Sequence, residues 1–202
     1  NGSNIICWTN NTPKAFTGTF SDPLIAGVPF SMTVTAVDII GRRVETYLGN
    51  IAFSCKDDPF AELPGVISFS RTDKGQRCIP RLVFNSSGQT QLVINEYPGV
   101  MSSPIFLNIL PATPINLAVE GGDGKAYLNW NYPDMPGIKL KEYWIYRATG
   151  ASGPYIPVAV NMGKTTTEYT DAPLDNGSQY YYTVSAVDKD NLESQRMAPV
   201  RV

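Results

Sequence analysis

The sequence predicts an all-β protein made of two antiparallel β-sandwiches in tandem. Apolar and polar residues alternate in short runs, and no stretch sustains the 3.6-residue period of a helix. The 17 Gly and 16 Pro break the chain often enough to turn many short strands. The 11 Tyr and 8 Phe suit pleated, half-buried surfaces. A chain of 202 residues accommodates two sandwiches of about 100 residues each.

The elements follow in order. Residues 1–14 form an N-terminal extension, with the apolar run Ile5-Ile6-Cys7-Trp8 between polar, turn-forming stretches. Such a run is costly to leave in water. It is expected to add as a strand, either to its own domain or to the next copy of the chain. The first domain is placed at 15–110. Its inward faces are Phe30, Met32, Val34 and Ala36; Ile51, Phe53 and Cys55; Ile67 and Phe69; Pro80, Leu82 and Phe84; then Leu92 and Ile94. Leu110-Pro-Ala-Thr-Pro114 reads as a short, stiff linker, because two prolines four apart do not fit a central strand. The second domain is placed at 111–202, with inward faces at Ala126, Leu128 and Trp130, at Tyr143 and Ile145, and at Tyr180, Tyr182, Val184 and Ala186. Thr33-Val-Thr-Ala-Val-Asp38 nearly repeats as Thr183-Val-Ser-Ala-Val-Asp188. The copies sit early in one domain and late in the other, so shared strand chemistry explains them better than a duplication.

Composition narrows the function. The 16 basic and 18 acidic residues are spread evenly and form no basic stripe, so a nucleic-acid partner is not expected. No apolar run approaches the ~20 residues of a membrane span. His is absent, which removes the commonest general base and metal ligand. The chain is expected to be no enzyme and to need no cofactor. Asp38, Asp57, Asp58, Asp188 and Asp190 lie near turns without the spacing of a calcium loop, and turn capping is their expected role. The first residue is Asn1 rather than Met, as expected of a trimmed chain or of a mature secreted protein. Sequons occur at Asn1, Asn10, Asn85 and Asn176.

Along its whole length, 111–202 resembles a fibronectin type III domain. Pro114-Ile-Asn-Leu117 is similar to the family's first strand, Trp130 to its core Trp and Tyr143-Trp-Ile-Tyr-Arg147 to its third strand. Tyr169-Thr-Asp171 and Leu174-Asp-Asn-Gly-Ser-Gln-Tyr180 are similar to the tyrosine corner and its approach. Tyr180 is thereby implied to be the corner residue, its ring buried and its hydroxyl on nearby backbone. Residues 15–110 resemble an Ig-like domain of bacterial surface proteins through Ala26-Gly-Val-Pro-Phe30, the Thr33–Asp38 segment, Tyr47-Leu-Gly49, and Phe53 near Asp57-Asp-Pro59. Gly41-Arg42 stands where that family usually has Gly-Asn. The resemblances imply immunoglobulin-like sandwiches in both halves.

Three candidate sites remain. Cys55 and Cys78 share the inward parity of Phe53 and Leu82, so a disulfide worth roughly 3 kcal/mol is expected, the alternative being two reduced core thiols. Cys7 is then left unpaired or bridged between chains. Trp144 and Tyr146 alternate with the core residues and should point outward. With Tyr155 they could offer an aromatic platform to a sugar or protein, or pack under a neighbouring loop or against the first domain. Ile5, Ile6 and Trp8 are the candidate self-contacts of a head-to-tail filament. Two functions are expected from these features. The first is a non-catalytic extracellular structural or adhesive protein, a surface-protein segment or filament subunit, with protein or surface glycan as partner. The second is an accessory module of a secreted carbohydrate-active enzyme.

Overall fold

A computed structural model describes residues 12–99 and 101–202. The N-terminal half contributes β1 (Ala15–Thr19), β2 (Leu24–Ile25), β3 (Phe30–Val37), β4 (Asn50–Cys55), β5 (Ile67–Ser68), β6 (Gln76–Leu82), β7 (Gly88–Tyr97) and β8 (Ser102–Leu110). The C-terminal half contributes β9 (Ile115–Gly122), β10 (Lys125–Asn131), β11 (Leu140–Ala148), β12 (Ile156–Gly163), β13 (Glu168–Asp171), β14 (Tyr181–Asp188) and β15 (Val200–Arg201). One 3-10 turn, Arg71–Asp73, is the sole helical segment among the described residues. Two compact units emerge from the contacts. The first holds the described residues up to Asp22, Pro29–Val83 and Thr90–Leu107. The second holds Pro23–Val28, Phe84–Gln89 and Asn108–Val202.

The N-terminal strands form two sheets, ordered β1-β3-β6 and β2-β8-β7-β4-β5. Alternation buries Met32, Val34 and Ala36 from β3 against Ile51 from β4 and Leu92 and Ile94 from β7, all at 0% exposure. Tyr47 packs edge-on to Phe16 and Phe69, with ring centroids 5.5 and 5.1 Å apart.

Parity fails in β6. Phe30 pairs with Leu82 and Met32 with Ile79, so β6 carries one extra residue there. Arg81 takes that bulge in the left-handed region, with φ of 57°. The bulge turns Leu82 and Ile79 inward together and leaves Pro80 and Cys78 exposed. The expected Cys55–Cys78 bridge is corrected accordingly, since both thiols are free. Cys55 lies in the other sheet, half-buried, with Sγ 3.1 Å from Thr90 Oγ1. Cys7, Ile5, Ile6 and Trp8 lie outside the described residues.

The C-terminal strands form sheets ordered β13-β10-β9 and β12-β11-β14-β15. Their core is Ala126, Leu128 and Trp130 from β10, Leu140, Tyr143 and Ile145 from β11, then Tyr180, with Tyr182, Val184 and Ala186 from β14. Trp130 meets Tyr143 edge-on at 5.4 Å. Its Nε1 is buried without an acceptor.

Candidate functional site

The outward face of β11 carries Trp144 and Tyr146, for which the sequence leaves open an aromatic platform or packing under neighbouring chain. A bulge between Leu140 and Glu142 sets Glu142, Trp144 and Tyr146 on that face. Tyr146 is nevertheless only 4% exposed. The Arg196 guanidinium covers its ring at 3.6 Å, and its hydroxyl donates to Glu193 Oε1 at 2.6 Å. Desolvation and that hydrogen bond raise the Tyr146 phenol above its ordinary pKa. Ser185 donates to the same Glu193 oxygen at 2.7 Å. Trp144 is half-buried and donates Nε1–H to Glu142 Oε1 at 2.9 Å. Lys141 and the Asn161 amide, oriented to satisfy its neighbours, also hold Glu142. Tyr155 donates its hydroxyl to Ala151 O at 2.8 Å, away from this cluster in sequence. Of the two alternatives the packed one describes this face: it is a closed network in which the aromatic side chains are tied to Glu142, Glu193 and Arg196.

A cleft of about 460 Å³ opens at one end of the second sandwich, between Tyr132, Asp134, Ile138, Lys164 and Lys189. Tyr132 and Tyr143 line it, but their rings lie edge-on to each other at 6.2 Å as part of the core packing. Desolvation pushes both phenols up to about 12.

The first sandwich carries a different surface. The outward residues of β4, β7 and β8 enclose a groove of about 340 Å³, lined by Ser54, Lys56, Asp57, Gln91, Asn95 and Ser102 over a floor of Val93. Asn95 Nδ2 donates to Ser54 Oγ at 3.1 Å, and the Gln91 backbone N–H donates to Asp57 Oδ2 at 3.0 Å. The turn bond from Glu96 N–H to Met101 O at 2.8 Å sets an antiparallel register between β7 and β8. Carried along the strands, it places Asn95 opposite Ser102 and Gln91 opposite Phe106. The alternating burial of both strands agrees with it. Phe106 is 78% exposed, the most exposed large apolar side chain among the described residues. Sequence reasoning missed this surface. Its only local signal was Phe106 itself, an aromatic residue between the inward positions Ile105 and Leu107.

Asp38 and Asp188 cap turns. The first accepts from Ile40 and Arg42 N–H, the second from Asp190 and Leu192 N–H. No group of acidic or Cys side chains able to hold a metal occurs among the described residues. No helix among them is long and apolar enough to cross a membrane. Asn85 is buried, and the Asn176 amide bonds Gly124 and Asp123. Tyr180 Oη accepts from Asp175 N–H at 3.1 Å, which closes the loop before β14.

No family model matches the chain. An amylopullulanase of Thermoanaerobacter thermohydrosulfuricus is 40% identical over 96 residues, which is 47% of this chain and 6% of that enzyme. Another, from Thermoanaerobacterium thermosulfurigenes, is 38% identical over 84 residues, 42% of this chain and 4% of the enzyme. The chain thus spans a small fraction of the curated relatives that it matches. Among solved structures, an Fn3-like protein from Clostridium thermocellum shares 34% identity over 45% of this chain and 90% of its own, with a TM-score of 0.39. A two-domain fibronectin type III segment of chicken tenascin covers 94% of this chain and 98% of its own at 12% identity, with a TM-score of 0.53. That last likeness shows the architecture of the whole chain. By fold, the chain is a tandem of fibronectin type III-like, immunoglobulin-type β-sandwiches.

Proposed function

We propose that this chain is an accessory module of an extracellular carbohydrate-active enzyme, one that acts beside a catalytic domain without performing chemistry. The observation that carries the reading is the 40% identity to an amylopullulanase over a segment that makes up 6% of that enzyme. A stretch so small within a large enzyme is sized as a module and not as a catalytic unit. The chain's own chemistry supports this. It lacks His, and Asp38 and Asp188 are committed to turn backbone. Of the two functions expected from the sequence, the relatives favour the enzyme module over the surface filament.

The test is the parent reading frame. A catalytic domain encoded in the same frame is the expected result. Deleting the module from that enzyme should then lower activity on insoluble polysaccharide while leaving hydrolysis of a short soluble substrate unchanged. A frame in which this chain stands alone behind a secretion signal, with a product that polymerises, would restore the filament reading.

A further inference from the structure

We infer that the outward groove of the first sandwich, at Lys56, Asp57, Gln91 and Asn95, together with Phe106 beside it, is a binding site for an uncharged oligosaccharide. The inference rests on the module reading above and adds to it a place and a ligand chemistry.

Carbohydrate recognition needs two things from a protein surface. It needs a ring face on which the C–H side of a pyranose can lie, and it needs amide, hydroxyl and charged groups to exchange hydrogen bonds with the sugar hydroxyls. The second need is met by Gln91, Asn95, Ser54 and Ser102, which supply amide and hydroxyl groups, with Asp57 an acceptor and Lys56 a donor. These groups line a groove of about 340 Å³, and Val93 gives it an apolar floor. Phe106 meets the first need. Its 78% exposure on a regular strand is unfavourable for the free protein, and a stacked sugar would relieve it. The register of β7 and β8 sets it opposite Gln91, beside the polar row.

Charge selects among ligands. Lys56 and Asp57 offset one another, so the groove carries no net charge to attract a polyanion. Lys56 has no ion pair among the described residues and is free to donate. The polar side chains that line the groove favour a polyhydroxylated ligand over a hydrophobic peptide. All the groups stand on adjacent strands of one sheet or directly after one, so they are held rigidly before any ligand arrives.

The test uses the full chain with pullulan as the probe, read by retardation in affinity electrophoresis, and with maltoheptaose for side-chain amide shifts in NMR. Pullulan should retard the wild-type protein, and maltoheptaose should shift the Gln91 and Asn95 amide signals. Phe106→Ala and Gln91→Ala should each weaken binding at least tenfold with unchanged melting temperatures, since neither residue is buried. Trp144→Ala, on the second sandwich, should bind as the wild type. Retardation that survives Phe106→Ala and Gln91→Ala would overturn the site while leaving a glycan-binding module in place. Preference for polygalacturonate over pullulan would overturn the charge argument. Binding to neither would overturn the site, and the module reading would still be decided separately by the parent reading frame.

Discussion

Tyr180 joins a buried ring to a backbone bond. The ring is 9% exposed, and the hydroxyl accepts the Asp175 N–H at 3.1 Å, five residues upstream. Replacing Tyr180 with Phe keeps the ring and removes the acceptor, leaving a partly buried N–H unpaired. The expected cost is about 1 kcal/mol, seen as a lower urea midpoint with an unchanged slope. An unchanged midpoint would show that the corner bond contributes nothing. Two residues on, Tyr182 donates to Asp171 Oδ2 at 2.7 Å, and Arg147 reaches the same oxygen at 2.8 Å. Asp171→Ala removes both partners at once, strands the Arg147 charge and should cost about 3 kcal/mol. A smaller loss than that of Tyr180→Phe would contradict the geometry. The thiols give a third residue-scale test. Cys78 is exposed and should react with a thiol reagent in the native protein, while half-buried Cys55, held against Thr90, reacts more slowly. Peptide mapping that finds the two bridged would reverse the bulge-based assignment of β6.

At the scale of elements, the near-repeat of Thr33–Asp38 and Thr183–Asp188 folds into the same hairpin turn twice. Asp38 N–H donates to Arg42 O, and Asp188 N–H donates to Leu192 O. The fourth turn position is left-handed in both, Gly41 at φ 81° and Asn191 at φ 62°. Nothing lies within 4 Å of where a Gly41 side chain would begin. Gly41→Asn should therefore be nearly neutral, as the second hairpin already demonstrates the residue in that conformation. Gly41→Val should cost about 1–2 kcal/mol, because a β-branched side chain opposes positive φ. Equal effects of the two substitutions would show that the turn is not held left-handed. The strands themselves were legible because alternation is a local signal: Ala126, Leu128 and Trp130 are buried where the period of two puts them. The bulges at Arg81 and at Leu140/Glu142 were not legible. Each adds one residue against a partner strand that is distant in sequence, and every parity argument across it inverts. That inversion undid the Cys78 expectation. The cover over Tyr146 was not legible for another reason. The residue's outward direction was correct, but its cover, Arg196 and Glu193, comes from 47 residues away in the case of the Glu193 bond. The groove on the first sandwich was hidden likewise, since Asp57 and Gln91 meet only once β4 and β7 are paired.

At the scale of the whole molecule, the absence of His removes the one side chain that ordinarily titrates near neutrality. The acid limb belongs to carboxylates. For Asp38, burial raises the pKa, but hydrogen bonds from Arg42 and Ile40 outweigh it and hold the group below its usual value. Ser70 holds Asp73 down through its hydroxyl and its N–H. A lowered folded pKa stabilises the fold above the unfolded value of about 4, and the contribution is lost as pH falls through the folded value. The alkaline limb belongs to tyrosines. Desolvation raises Tyr47, Tyr132, Tyr143 and Tyr182, the middle two to about 12. A raised folded pKa leaves stability intact below the unfolded value of about 10 and removes it as pH climbs toward the folded value. The unfolding midpoint in urea should therefore stay flat between about pH 5 and 9 and fall on both sides. Ultraviolet titration of the native protein should show Tyr132 and Tyr143 ionising late, near 12. A midpoint that changes steeply between about pH 6 and 7 would require a titrating group that the chain does not contain.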